Sequence, residues 1–188
     1  MRRKKKKALT IIFVALAFLF VSIFGLYCYF KTLYPMKHSE LIAQYAAEYE
    51  IDPYLAAAVI WKESRFREDA VSSAGAMGLM QVMPSTGEWI AGKLGESFDE
   101  KMLLEADTNI RYGCWYLRFI MDRISNRDAC IAAYNAGHNA VMRWLDDVRY
   151  TDDGETLSDI PYEETRNYVE RVNRAYEKYK KLYPKAFD

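Results

Sequence analysis

Histidine and cysteine are scarce in this chain, with two of the first and three of the second in 188 residues. His38 and His138 stand far apart, and neither has a second potential ligand at a spacing that suits a metal. A zinc site takes three or four nitrogen, sulfur or oxygen ligands. The inventory therefore argues against a zinc peptidase, and no metal or cofactor is expected. Acidic residues are missing before Glu40, and charges of both signs from residue 8 to residue 30. A net charge is missing too, because 26 basic residues balance 26 acidic ones. Six of the basic residues fall at positions 2–7, so the rest carries 20 against 26, or −6. An acidic body of this kind does not suggest a nucleic-acid surface. No stretch alternates apolar and polar residues as a half-buried strand would, and no internal repeat appears.

The chain does carry a helical anchor and a helical body. RRKKKK at 2–7 precedes ALTIIFVALAFLFVSIFGLYCYF at 8–30. As a helix rising 1.5 Å per residue, that run spans about 35 Å, enough for a hydrocarbon core of about 30 Å. The basic cluster places residues 1–7 in the cytoplasm and residues 31–188 outside, as a single-pass protein of the cell membrane. A cleaved signal peptide would have a shorter apolar region and small residues before the cut. Here Leu26-Tyr27-Cys28-Tyr29-Phe30 is bulky, and Tyr27 weakens Cys28 as a lipidation site. An uncleaved anchor is the preferred reading, and cleavage stays open. Residues 31–37 form a short linker with Pro35, and residues 38–188 one compact domain.

That domain reads as mainly α. Leu41, Ile42, Tyr45, Ala46 and Tyr49 share one face of a helix over 38–50. Asp52-Pro53 is a cap followed by proline at the first helical position, opening a helix to about Ser64. Pro84 starts another through about Lys93. Asp107 or Thr108 is expected to cap a longer helix with Ile110, Cys114, Leu117, Ile120 and Ile124 on its buried stripe. Ser125–Arg127 is a turn, Asp128 the next cap, and Gly137 a stop. TDDGETLSD is a polar loop, and Pro161 opens the last helix. In the hairpin near Asn126, Cys114 and Cys130 are offset by about 12 Å along the axis. A disulfide needs Cα atoms within about 7 Å, so both are expected as small core residues.

Against this background Glu63 is out of place. It ends the apolar run AAAVIWKES, where a charge is costly unless paired or neutralised. Other stretches also set polar groups beside glycine or a helix end: Ser72 with GAMGLMQVMP, AYNAG at 133–137, and PYEETRNYV at 161–169. Taken singly, each has an ordinary explanation. A glutamate at a helix end is usually solvated, and Met77, Met80 and Met83 usually fill a core. Tyr134 would be a half-buried phenol, Asn135 a helix-end cap, and Glu164 a partner for its helix dipole.

Together, in this order, the four stretches resemble the catalytic domain of the soluble lytic transglycosylases, glycoside hydrolase family 23. The resemblance covers about residues 38–182. It implies a lysozyme-like fold behind the anchor and peptidoglycan glycan strands as substrate. It implies Glu63 as the single catalytic acid, with Ser72 lining the cleft near it. Gln81 and Met83 would contact sugar on either side of the scissile bond. Tyr134 and Asn135 would form the floor, and Glu164 and Tyr168 the far wall. The reaction implied is cleavage of the MurNAc-β-1,4-GlcNAc bond with a 1,6-anhydro-MurNAc end.

The residues are compatible with that chemistry. A glutamic acid with an ordinary pKa of about 4.3 is ionised at neutral pH, and burial raises that value. Most glycosidases pair the acid with a second carboxylate about 5–5.5 Å or about 6.5–9.5 Å away. Glu68 and Asp69 are nearest in sequence, but both read as solvated. Two other functions stay open: a lysozyme-type hydrolase (muramidase) of the same bond, and a wall-binding module without catalysis. GLMQVMP and AYNAG favour the transglycosylase, by resemblance. The linker reaches at most ~25 Å, so the domain would act near the membrane. A monomer is expected, with envelope or secretion machinery as a partner the sequence does not resolve.

Overall fold

The computed structural model describes residues 2–187; Met1 and Asp188, the outer ends of the expected tail and domain, lie outside the described residues. The chain forms two compact units, one ending at Pro35 and the other starting at Met36. The first is the helix α1 (Arg2–Leu33). Its stretch Leu9–Leu33 has a mean hydropathy of 2.8 and none of it is buried, so it is long and apolar enough to cross a membrane. The helix continues past Phe30 to Leu33, into residues expected as linker.

The second unit is a cluster of helices. They are α2 (Ser39–Glu48), α3 (Pro53–Ser64), α4 (Pro84–Leu94), α5 (Ala106–Met121), α6 (Arg127–Ala136), α7 (His138–Leu145) and α8 (Glu163–Leu182), with a short 3-10 turn at Glu100–Leu104. Extended pairing among the described residues is confined to isolated bridges, such as Met77 with Val82. The fold is mainly α, as the periodicity implies.

The middle of the unit is α3. Asp52 caps it by accepting from the Tyr54 N–H, and Pro53 follows in the first turn. Three alanines then let neighbours approach from several sides, and every residue from Leu55 to Trp61 is buried. The helix ends because Arg65 and Phe66 both turn left-handed, at φ 56° and 61°. Its main partner is α8. Thr165, Tyr168, Val169, Val172, Ala175, Tyr176 and Tyr179 make the buried stripe of that helix. Two hydrogen bonds clamp the seam near its ends. Tyr176 Oη donates to Asp52 Oδ2 at 2.7 Å and Tyr168 Oη to Glu63 Oε1 at 2.6 Å.

Several boundaries differ from those expected. α5 begins at Ala106 after Glu105, two residues before Thr108. Thr108 is instead buried, and Asp107 accepts from Tyr45 Oη at 2.7 Å, joining α5 to α2. The cap of α6 is Asn126, which accepts from the N–H groups of both Asp128 and Ala129. α8 starts at Glu163 after Tyr162, beyond Pro161. Gly137, at φ 85°, does end α6, but α7 follows at once. The polar histidine and asparagine at its start hide the apolar face of Val141, Trp144 and Leu145. Cys114 and Cys130 are buried and unpaired, as the axial offset requires.

Sequence periodicity misses Asn109, which lies on the buried face of α5 and is fully buried. Its Oδ1 accepts from the Met80 N–H at 2.7 Å. Its Nδ2 donates to Met77 O at 2.8 Å and Leu103 O at 2.7 Å. One side chain thus ties the loop before α4 and the 3-10 turn to α5. A Cβ on Gly78 would strike that same side chain and the Leu103 carbonyl, and Gly78 also needs φ 76°, so glycine is required there twice over. Asn109→Ala takes the side-chain partner from the buried Met80 N–H and Leu103 O, while Met77 O keeps the Val82 N–H, and should destabilise the domain by roughly 3 kcal/mol. Denaturant unfolding of the full chain in detergent measures this, and a loss below about 1 kcal/mol would contradict the assigned role.

Candidate active site

The last turn of α3 delivers Glu63 to a half-buried position. Loss of solvent is the largest influence on its carboxyl and raises the pKa above the ordinary glutamate range. The Tyr168 hydrogen bond and the Lys62 ammonium work the other way, because both favour the ionised form. Glu164 raises the pKa further by like-charge repulsion. Burial wins over the two opposing groups. Lys62 is itself partly desolvated, which lowers its pKa, and its Nζ stands 4.6 Å from the Tyr168 ring centroid. Tyr168 is fully buried, and burial pushes its phenol far up, so the hydroxyl stays protonated and able to donate.

Beside this helix end the segment before α4 folds back on itself. The Gly78 N–H donates to Ala70 O at 2.8 Å, and Met77 and Val82 exchange N–H···O bonds at 3.0 Å each. Gln81 is held left-handed at φ 51°, an uncommon setting for a residue with a Cβ. Its Nε2 donates to Ala70 O at 3.0 Å and Gly78 O at 2.8 Å, which locks the side chain in place. Leu79 and Met80 are buried as core, whereas Met83 is exposed. Tyr134, in the last turn of α6, donates to Met80 O at 2.9 Å. Its phenol is held protonated by burial first, with the Glu63 carboxyl acting in the same direction. Asn135 Oδ1 accepts from Thr165 Oγ1 at 2.8 Å, stitching α6 to α8.

Gln81, Met83, Tyr134 and Asn135 line one open cavity of about 220 Å³, together with Thr86, Tyr116 and Gly137. The structure therefore gathers four of the expected site residues into a cleft, and pairs Glu63 with Tyr168 close to Tyr134. Glu164 is exposed on the first turn of α8 and acts on Glu63 through its charge. Ser72 closes its own turn instead, where its Oγ accepts from the Ala76 N–H at 2.9 Å. Glu68 and Asp69 are exposed, as expected, and Glu68 faces His38 at 3.0 Å. Thr86 and Tyr116 were not anticipated. Thr86 follows the quoted GLMQVMP stretch by two positions, and Tyr116 neighbours the buried stripe of α5, so only the tertiary fold brings them together.

Residues 40–156 match the family model described as the transglycosylase SLT domain. The chain belongs to that family. The matched stretch ends before α8, so Glu164 and Tyr168 are placed beside Glu63 by the structure alone. Among curated SLT relatives, the soluble lytic murein transglycosylase of Escherichia coli K12 is 34% identical over 151 residues, covering 78% of this chain and 23% of that protein. The membrane-bound lytic murein transglycosylase C of Actinobacillus pleuropneumoniae is 34% identical over 167 residues, covering 76% and 46%. This chain thus spans about a quarter to a half of their length. The crystal structure of the 70 kDa soluble lytic transglycosylase from Escherichia coli aligns with a TM-score of 0.73 at 28% identity, over 84% of this chain and 26% of that one. An inactive Glu-to-Gln mutant of the lytic transglycosylase from Pseudomonas aeruginosa aligns at 0.69 and 33% identity, over 79% and 25%. The lysozyme-like fold follows from these neighbours.

In this SLT domain Tyr168 favours the ionised state of Glu63. Tyr168→Phe removes that donor and keeps the ring, so Glu63 should titrate at a higher pH than in the wild type. Isotope-edited infrared titration of the glutamate carboxyl band reads this directly. An unchanged or lowered titration point would show that the hydrogen bond does not act on the acid.

Proposed function

We propose that the protein is a membrane-anchored lytic transglycosylase. It cleaves the MurNAc-β-1,4-GlcNAc bond of peptidoglycan glycan strands and leaves a 1,6-anhydro-MurNAc end. The observation that carries this is the half-buried Glu63, with its pKa raised by burial and a protonated Tyr168 on one oxygen. Such a carboxyl holds its proton to a higher pH than an exposed glutamate and can give it to the leaving glycosidic oxygen. The names of the SLT relatives support murein as the substrate.

The mechanism uses one carboxyl twice. Glu63 protonates the oxygen that departs with GlcNAc, and the bond to the MurNAc anomeric carbon breaks. The 2-acetamido carbonyl of the same MurNAc stabilises the cationic carbon. Glu63, now a carboxylate, removes the proton from the MurNAc 6-hydroxyl, and that oxygen closes on the anomeric carbon. The proton count returns to its start and no water is consumed. A protein nucleophile is not needed, and Glu164, the other carboxylate acting on Glu63, is exposed to solvent rather than set in a dry site. Gln81, Met83, Tyr134 and Asn135 hold the sugars, with Ser72 at the cleft edge. Orientation by a locked Gln81 side chain and a buried phenol favours the internal hydroxyl over a mobile water. The domain acts as a monomer without metal or cofactor.

Digests of purified peptidoglycan should therefore contain ends that resist borohydride reduction and weigh one water less than hydrolysed ends. Glu63→Gln should yield neither product while remaining folded, since a general acid contributes roughly 10²–10⁴-fold. Reducible muramic acid ends alone would make the protein a muramidase. For α1, the basic N-terminal cluster supports a cytoplasmic N-terminus and an extracytoplasmic domain. Protease added to wall-stripped cells should remove the domain, and full protection would reverse the topology.

A further inference from the structure

Charge is divided unevenly along the chain. Residues 171–187 carry six basic residues against one acidic, or +5, whereas residues 31–170 carry 14 against 24, or −10. The basic residues are also sorted in space. Arg171, Arg174, Lys178 and Lys181 recur at three- and four-residue steps on α8, so they share one face in a row about 15 Å long. None of them belongs to the buried stripe of that helix, and Arg171, Arg174 and Lys181 are exposed. We propose that this row docks the domain onto the anionic headgroups of the bilayer that anchors α1. The docking rests on the membrane-anchored part of the reading above and not on its chemistry.

Three observations favour a partner of negative charge. The first is that the row is not neutralised from within. Glu170 and Glu177 precede Arg174 and Lys181 by four residues, a spacing that suits an ion pair on a helix. Yet among the described residues no ion pair within 4.0 Å includes Arg171, Arg174 or Lys181. Near its start the row meets further cations. Burial lowers the pKa of Lys62 most, and the Arg171 and Arg65 guanidiniums lower it further. Cations in the last turn complement the helix dipole, which accounts for Lys180 and Lys181. Arg171 and Arg174 stand at least two turns before the end of α8, where that effect has faded.

The second is shape. None of the four residues lines the cleft of Gln81 and Tyr134, so the row is no part of the glycan site. It is a line of long cationic side chains on one helix face. Such a line suits repeated negative charges spread over a plane, as lipid phosphates are.

The third is the position of the link. Residues 34–38 separate α1 from α2 and reach at most ~18 Å when extended. The last of them, His38, meets Glu68 at 3.0 Å. Glu68 lies three residues beyond Arg65, whose guanidinium covers the Trp61 ring at 3.5 Å. The chain therefore enters the domain near the start of the row. A tether this short makes docking an intramolecular event, so individually weak contacts suffice. A free anionic polymer of the wall has no such advantage. Docked through α8, the domain keeps one orientation, and Glu63 stays at one height above the bilayer.

The test reads lysine reactivity toward an acetylating reagent in the full chain, reconstituted in bilayer discs. The discs contain phosphatidylcholine alone, or phosphatidylcholine and phosphatidylglycerol in equal parts. Mass spectrometry should show Lys181 reacting about threefold more slowly, or slower still, in the anionic discs. Lys93 and Lys101, exposed on α4 and in the 3-10 turn, should react equally in both. About 1 M salt, where the Debye length falls to ~3 Å, should abolish the difference. Arg171→Glu combined with Arg174→Glu should abolish it as well. Equal reactivity of Lys181 in the two discs would overturn the docking, as would an equal slowing of Lys93 and Lys101. Protection by added poly(glycerol phosphate) in neutral discs, with none from phosphatidylglycerol, would assign the row to a wall polymer and overturn it too. A chain that does not enter the discs would reject the anchor reading, and the docking with it.

Discussion

A single carboxyl at the buried end of α3 sets the terms for the rest of the domain. Burying an ionised carboxylate without compensation costs several kcal/mol, and a neutral one costs far less. The surroundings of Glu63 shift that balance toward the neutral form. The apolar body of α3 removes solvent, Glu164 adds repulsion, and Tyr168 and Lys62 partly offset both. The proposed role of Glu63, donor first and base afterwards, calls for this intermediate setting, since a group buried with no partner could not accept its charged form. On the proposed mechanism the fit of α8 along α3 is part of the chemistry. The same seam that carries Tyr176 on Asp52 brings the Tyr168 hydroxyl to the acid.

The cleft depends on a second constraint, the loop between Ala70 and Pro84. Asn109 grips it from α5, Gly78 makes room for that grip, and Tyr134 holds its Met80 carbonyl from α6. Gln81 adopts a left-handed backbone because the surrounding bonds determine it, and its amide is spent on the loop itself. Backbone in such regions costs free energy that packing elsewhere must offset, and it is often found at functional sites. The hydrogen bond from Thr165 to Asn135 closes the arrangement by linking the cleft to α8.

Much of this was legible in the sequence, for local reasons. Asp52-Pro53 marks the start of α3, and the apolar spacing from Tyr168 to Tyr176 marks α8, because caps and periodicity act within a few residues. Glu63 stood out because a charge at the end of an apolar run conflicts with its neighbours. The missed features are long-range. Asn109 looks like a polar interruption of a buried stripe until the loop that it binds is in place. Asn126 caps α6 in place of Asp128 because its side chain reaches two N–H groups, a choice between adjacent polar residues that spacing does not decide. α7 was hidden because Gly137 reads as the end of α6 and the polar His138 and Asn139 open the next helix. Ser72 matches its motif yet spends its hydroxyl on a local turn.

The central claim is that burial raises the pKa of Glu63 in the folded state above its unfolded value. A carboxyl whose folded pKa lies above its unfolded value stabilises the fold less as pH rises, because the folded state then binds more protons than the unfolded one. The most direct measurement is the unfolding free energy of the wild type and of Glu63→Gln across the pH range from below about 4 to above neutrality. Glutamine cannot titrate, so the difference between the two isolates Glu63. The wild type should lose stability relative to the variant as pH rises past about 4.3, levelling off once the folded carboxyl has ionised. A wild type that gains stability relative to Glu63→Gln over that range would mean a lowered pKa, and Glu63 would then be a stabilised carboxylate rather than an acid.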